Sequence, residues 1–251
     1  MRIASALIFF ILCSGISRAS EIMPWVSKTS IDGIEVQSYY SQVTKSIRVH
    51  QYDDSHFFSY DFAVSPLIVK VSIRPDLGFS PYIKAGILNS EIKDINSIWA
   101  GGYNGIVLGI GFNKVLGMDS ASMYQIVADA GLNYYYSQYD SLSKYFGSWS
   151  SINSYSTVNI LELRGSFLIN KEFKLKNSRI QITPYCGANI SLNNGSWHFS
   201  AENATYRILS GNVYPAIGVE IGSSQIAGKL EYIFLSASGI SVGFSFDIGI
   251  Y

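Results

Sequence analysis

The side chains best suited to chemistry sit close together in the second half of the chain, where His198, Ser200 and Glu202 recur at every second position. A histidine, a hydroxyl and a carboxylate are the parts of a base-assisted acyl hydrolysis, in which the imidazole takes the hydroxyl proton as the oxygen attacks. The chain has two more histidines, His50 and His56, and Asp53 and Asp54 beside His56 could activate water for peptide hydrolysis or hold a metal. That cluster lacks a second matching pair, and a solvated loop suits it better. No phosphate loop, dinucleotide fingerprint or cysteine metal cluster occurs, so no cofactor and no metal site is expected.

A second set of ionisable residues is spread along the chain: Glu35, Asp61, Lys70, Arg74, Lys84, Asp129, Glu162, Arg164, Glu220, Lys229, Glu231 and Asp247. Each falls on the polar beat of a two-residue rhythm, and the two signs nearly balance. If that beat faces an enclosed space, the charges must be paired or hydrated, because isolated burial costs several kcal/mol. An internal network of ion pairs is the first expectation for them, and a solute pathway the second.

The rhythm itself comes from the elements that carry these residues. Ile240, Val242, Phe244, Phe246, Ile248 and Ile250 alternate with Ser241, Gly243, Ser245, Asp247 and Gly249, a set that a helix would scatter around its circumference. The same period runs through Ile226 to Phe234, Val213 to Ile221, Ile180 to Leu192, Leu161 to Asn170, Tyr124 to Ser137, Ile106 to Asn113 and Phe79 to Ile87. A long segment from Phe57 to Arg74 changes phase near Pro66, where a bulge could absorb one residue. Ile34, Val36 and Tyr40 against Glu35, Gln37 and Tyr39 make a first strand. One beat is apolar and the other is Gly, Ser, Asn, Tyr and charge, which inverts the pattern of a water-surrounded sandwich and matches a barrel with lipid outside and a crowded lumen inside.

The expected fold is therefore all-β: a single antiparallel transmembrane β-barrel of about ten strands, with eight as the alternative and both termini periplasmic. Tight connections near Pro75 to Leu77, Leu116 to Ala121, Glu172 to Asn177 and Ser223 to Ser224 would then alternate with longer external loops at Ser46 to His56, Asn89 to Ala100, Gln138 to Ser151 and Asn193 to Leu209. The loop from Ser236 to Gly239 is short. Tyr139, Tyr145, Trp149 and Trp197 are candidates for surface-ligand contacts through those loops or for packing at lipid headgroups.

Composition and the N-terminus agree with an exported membrane protein. Only 14% of residues are charged, against about 25% in ordinary soluble domains, and 18 basic residues face 18 acidic ones, which leaves no basic excess for nucleic acid. Arg2, the apolar run from Ile3 to Leu12 and the small residues before Ser20 form a secretory signal peptide over residues 1–19, with the barrel domain over 20–251. Leu12 before Cys13 does not fit a lipidation site, and removal of the signal leaves Cys186 as the sole cysteine.

With signal peptide, hairpin rhythm and a C-terminal strand ending in an aromatic residue, the chain resembles the small outer-membrane β-barrel superfamily of OmpA-type barrels, opacity proteins and related porin-family proteins. The segments Pro81-Tyr82-Ile83-Lys84-Ala85-Gly86 and Gly105-Ile106-Val107-Leu108-Gly109-Ile110-Gly111-Phe112 look like its Gly- and aromatic-rich strands. Tyr251 departs from the pattern, because it is out of phase with the apolar face that ends at Ile250. The resemblance implies a bacterial outer-membrane location, with outer-membrane lipid and the barrel-assembly machinery as partners and surface ligands reached through external loops. It implies a structural, surface-interaction or narrow-pore role. The enzymatic alternative is a rim hydrolase: His198-Phe199-Ser200 resembles the His-x-Ser element of lipid A deacylases without that family's surrounding residues, and the Asp53, Asp54 and His56 cluster would be the omptin-like version.

Overall fold

The computed structural model describes residues 33–51, 57–74, 79–93, 97–100, 105–119, 124–144, 150–176, 178–200, 203–223, 225–235 and 237–249. The signal-peptide segment, Asp53, Asp54, His56, Tyr145, Trp149, Glu202 and Tyr251 lie outside the described residues.

Among the described residues twelve strands follow one another: β1 (Gly33–Gln51), β2 (Phe57–Arg74), β3 (Phe79–Lys93), β4 (Ser97–Ala100), β5 (Gly105–Asp119), β6 (Tyr124–Lys144), β7 (Ser150–Lys171), β8 (Phe173–Lys174), β9 (Gln181–Phe199), β10 (Ala204–Gly222), β11 (Ile226–Ile233) and β12 (Ala237–Gly249). Setting aside the short β4 and β8, ten antiparallel strands form the ring β1-β2-β3-β5-β6-β7-β9-β10-β11-β12. It closes where β12 returns to β1, from Gly33↔Gly249 to Lys45↔Ala237. At the end away from the termini the ring changes its strand count. Beyond the short β11–β12 hairpin, β1 pairs directly with β10 (Val49↔Ile208, His50↔Arg207), and β4 takes the place of β5 between β3 and β6. That upper ring, β1-β2-β3-β4-β6-β7-β9-β10, has eight strands, while the barrel as a whole has the ten expected from the sequence. Eight is also the number at which side chains just fill a barrel.

The polarity of the wall changes at the same level. Toward the termini the outward residues are apolar, including Leu67, Val69, Ile83, Ile110, Leu163, Phe167, Ile190, Leu230 and Phe246, whereas Gln37, Ser72, Asn133, Ser166, Asn189 and Ser245 are buried inside. Toward the other end the sides exchange. On β1, Val43, Ile47 and Val49 turn in while Thr44, Ser46 and Arg48 turn out; on β2, Phe62 and Val64 turn in and Asp61 is exposed on the outer wall. We call this part the collar. Its interior is an apolar cluster that includes Ile47, Phe62, Ile68, Leu88, Ile92, Val107, Tyr139, Ile160, Trp197 and Ile208.

This inversion explains the phase change near Pro66. The β2–β3 register runs without a shift from Ser72↔Tyr82 to Asp61↔Lys93, and β1–β2 keeps its register across the proline (Tyr40↔Leu67, Val43↔Val64). There is no bulge; the apolar beat moves from the outer to the inner face because the surroundings change. Register shifts occur elsewhere, at Val115/Gly117 and Tyr139/Ser141. The expected external loops are correspondingly shorter than the sequence suggested, since β1, β3, β6, β7, β9 and β10 continue through most of them as paired strand.

Candidate functional site

Inside the ring, alternation delivers Glu35, Lys70, Lys84, Asp129, Glu162, Arg164, Glu220, Lys229 and Glu231 to the lumen, all buried, and Asp247 to its lower end, half-buried. Asp61 is the correction: it belongs to the inverted collar and faces outward. Arg74 pairs with Gly33 at the end of β2, and its side chain lies outside the described residues. Lys45 joins the lumen set unannounced. It shares the beat of Glu35 on β1, a signal hidden because residues from Ser46 onward look like loop.

The lumen charges are organised around tyrosines. Lys45 Nζ donates to Glu162 Oε1 at 2.8 Å and to Asn193 Oδ1 at 3.1 Å, and lies 5.2 Å from the centre of the Tyr135 ring. Tyr135 OH and Asn133 Nδ2 both donate to Glu162 Oε2 at 2.8 Å. Lys70 sits 4.0 Å over Tyr82, whose hydroxyl donates to Asp129 at 3.2 Å; Lys229 sits 4.5 Å over Tyr185, whose hydroxyl donates to Glu231 at 2.9 Å. Lysine, tyrosine face and carboxylate thus recur three times. The ring quadrupole attracts the ammonium while the phenol proton satisfies the carboxylate, and in two of the three groups lysine and carboxylate also pair directly, Lys45 with Glu162 at 2.8 Å and Lys229 with Glu231 at 3.7 Å.

Glycines make room for these rings. A Cβ on Gly111 would stand 2.5 Å from Tyr82 Cζ, and one on Gly131 2.6 Å from its hydroxyl oxygen. Gly111→Val is expected to displace Tyr82 and to destabilise the barrel by about 1–3 kcal/mol, the range for overpacking, measured as a shift in the urea midpoint of the refolded protein. Between these side chains lies a cavity of about 10 Å³, lined by Gln37, Tyr39, Lys70, Tyr82, Lys84, Asp129 and Arg164, room for about one water. Above it the collar cluster continues the filling. Tyr139 is buried and hydrogen-bonded with Ser90 at 2.9 Å, and Trp197 is buried 5.6 Å from Tyr60 and 4.6 Å from Phe199. Both were expected in external loops, contacting surface ligands or packing at lipid headgroups, and both instead fill the collar.

The hydrolytic constellation does not assemble among the described residues. His198 is on the outer face of β9, and its Nδ1 shares a hydrogen bond of 3.0 Å with Thr205 Oγ1 on the paired strand. Ser200 Oγ donates to the backbone carbonyl of Tyr155. The hydroxyl proton that an attacking serine must give to the imidazole is therefore directed at a main-chain oxygen.

No protein-family model matches the sequence, and no curated protein sequence matches it. Solved structures do resemble it. The translocator domain of the autotransporter NalP from Neisseria meningitidis superposes with a TM-score of 0.50 at 11% identity, covering 89% of this chain and 90% of that one. The outer membrane protease OmpT from Escherichia coli gives 0.48 at 10% identity over 88% and 99%, and the outer membrane protein OprG from Pseudomonas aeruginosa 0.43 at 8% over 89% and 100%. A closed antiparallel ring with an apolar belt turned outward is the outer-membrane β-barrel fold, and this chain has it.

Proposed function

We propose that this outer-membrane β-barrel is a sealed, non-enzymatic protein of the bacterial surface, with its termini in the periplasm and the collar presented outside as a rigid platform for surface interactions. The observation that carries this reading is the filled lumen, in which lysine–tyrosine–carboxylate groups occupy the belt and the apolar cluster of Ile47, Phe62, Ile92, Ile160 and Trp197 closes the collar above them. Water-filled conduction needs a continuous polar path, and an apolar plug some residues deep opposes it. The collar's outer face is polar, as a water-facing wall requires, and strands that extend past the belt hold it more firmly than loops would. The lipid around the belt is its constant partner, and the barrel-assembly machinery supplies the route of insertion.

Purified protein in planar bilayers is expected to give no stepwise conductance at 1 M salt; regular steps would overturn the sealed reading. His198→Ala and Ser200→Ala are expected to leave lipid A acylation, read by mass spectrometry of extracted lipid, the same as with the unmodified protein. A change in acyl number that disappears in either variant would establish a rim hydrolase instead.

A further inference from the structure

On the outer wall, the seam where β1 meets β10 carries two arginines. Arg48 and Arg207 are both exposed, and because His50 pairs with Arg207, Arg48 is the diagonal neighbour of Arg207, a spacing of about 7–8 Å. Like charges so placed repel each other unless an anion lies between them. Among the described residues neither guanidinium makes an ion pair, although Asp61, opposite Ser46, lies one diagonal step from Arg48. A groove of about 670 Å³ runs along the wall from Arg48, with Arg207 beside its upper end; Ser46, Asn194 and Ser210 line it near the arginines, and Leu192, Leu163 and Leu132 farther down.

The floor of this groove is a cross-strand ladder. Gly211 pairs with Leu192, Leu192 with Leu163, and Leu163 with Leu132. From β1 to β6 that is four strand spacings, about 19 Å at about 4.8 Å each, comparable with one leaflet's half of a hydrocarbon core about 30 Å thick. The ladder starts at the polar collar and ends within the apolar belt. Gly211 keeps its upper end open, since a Cβ there would stand 3.3 Å from Leu192 Cδ2. A cationic pair at the polar boundary with an apolar trough descending from it matches a molecule with a phosphate at one end and an acyl chain at the other.

We infer that the β1–β10 seam is a binding site for an anionic phospholipid of the surrounding bilayer, its phosphate held between Arg48 and Arg207 and one acyl chain lying along the leucine ladder. Arginine suits this role because its planar fork matches phosphate oxygens. The inference rests on membrane residence and on the outer wall alone, so it is independent of whether the lumen conducts.

The test is native mass spectrometry of the full chain released from detergent micelles doped with dioleoyl phosphatidylglycerol or with dioleoyl phosphatidylcholine. The protein is expected to retain phosphatidylglycerol at least tenfold more than phosphatidylcholine. The double substitution Arg48→Ala/Arg207→Ala should lower that retention at least tenfold, and Gly211→Leu, which fills the trough and leaves both arginines, should lower it several-fold. Equal retention of the two lipids, or retention unchanged in the double variant, would overturn the site. Displacement of the lipid by millimolar inorganic phosphate, with Gly211→Leu having no effect, would reduce it to a simple ion site and overturn the acyl-chain assignment. Each variant is checked for the heat-dependent gel migration of a folded barrel, and loss of that signature in the unmodified protein would count against the barrel fold and not against the site.

Discussion

Glu162→Ala is expected to destabilise the folded barrel by about 3–5 kcal/mol, the cost of leaving a buried charge without its partner. The carboxylate receives Lys45, Asn133 and Tyr135 at 2.8 Å each, and both members of the ion pair are almost wholly buried, 5% and 2% exposed. Removing it strands the Lys45 ammonium with Asn193 and the Tyr135 ring as its remaining partners in the lumen. Replacing both charges, as Lys45→Met/Glu162→Leu, should recover most of the loss, because apolar side chains of similar volume commonly substitute for a buried pair at little cost. Urea unfolding in lipid bilayers, followed by tryptophan fluorescence, measures both. A single variant that costs less than about 1 kcal/mol would mean that water reaches the pair and that the lumen is more open than the packing of its side chains indicates.

The second large effect concerns the outer wall. Leu163 lies in the middle of the outward series on β7, and Leu163→Arg is expected to cost about 2–4 kcal/mol, as a charge does on a lipid face near mid-bilayer. Ser196 faces outward in the collar on β9, opposite Arg207, and Ser196→Arg is expected to fall within about 0–1 kcal/mol. The contrast between the two, measured in the same unfolding assay, locates the edge of the membrane on the wall. Equal costs would place the collar inside the bilayer and remove the reason for its inverted polarity.

What was legible in the sequence follows from where one physical rule held. Within the belt the outward residues are predominantly apolar, so the beat of Ile240, Val242, Phe244 and Phe246 could be followed strand by strand, and the opposite beat carries Glu35, Glu162 and Glu231, which are buried on the lumen side. In the collar the rule reverses. A pattern such as Asn193-Asn194-Gly195-Ser196-Trp197-His198-Phe199 has polar residues on both beats and looks like loop, yet Trp197 and Phe199 are inward residues of a paired strand. The same reversal misplaced Asp61, hid Lys45 and made Pro66 look like the site of a bulge. The tyrosines of the lumen fall on the beat that the sequence turned inward, Tyr39 among them; what the sequence did not show is how they are seated, which depends on glycines of neighbouring strands, Gly111 and Gly131 for Tyr82.

The short β11–β12 hairpin has a mechanical consequence. Carried down the strands without a shift, the Val49↔Ile208 register sets Glu35 opposite Gly222, two residues that already face inward together. β1 and β10 therefore form a zipper whose upper teeth are closed and whose lower teeth match but are held apart, with the last hairpin driven between them as a wedge. The cross-section flares from the collar toward the termini, and the wedge brings Lys229, Glu231 and Asp247 with it, so the element that widens the base also supplies the charges that fill the added space. Chain order places that wedge after both strands of the seam, and the barrel is complete only when it has parted a seam that could otherwise run shut.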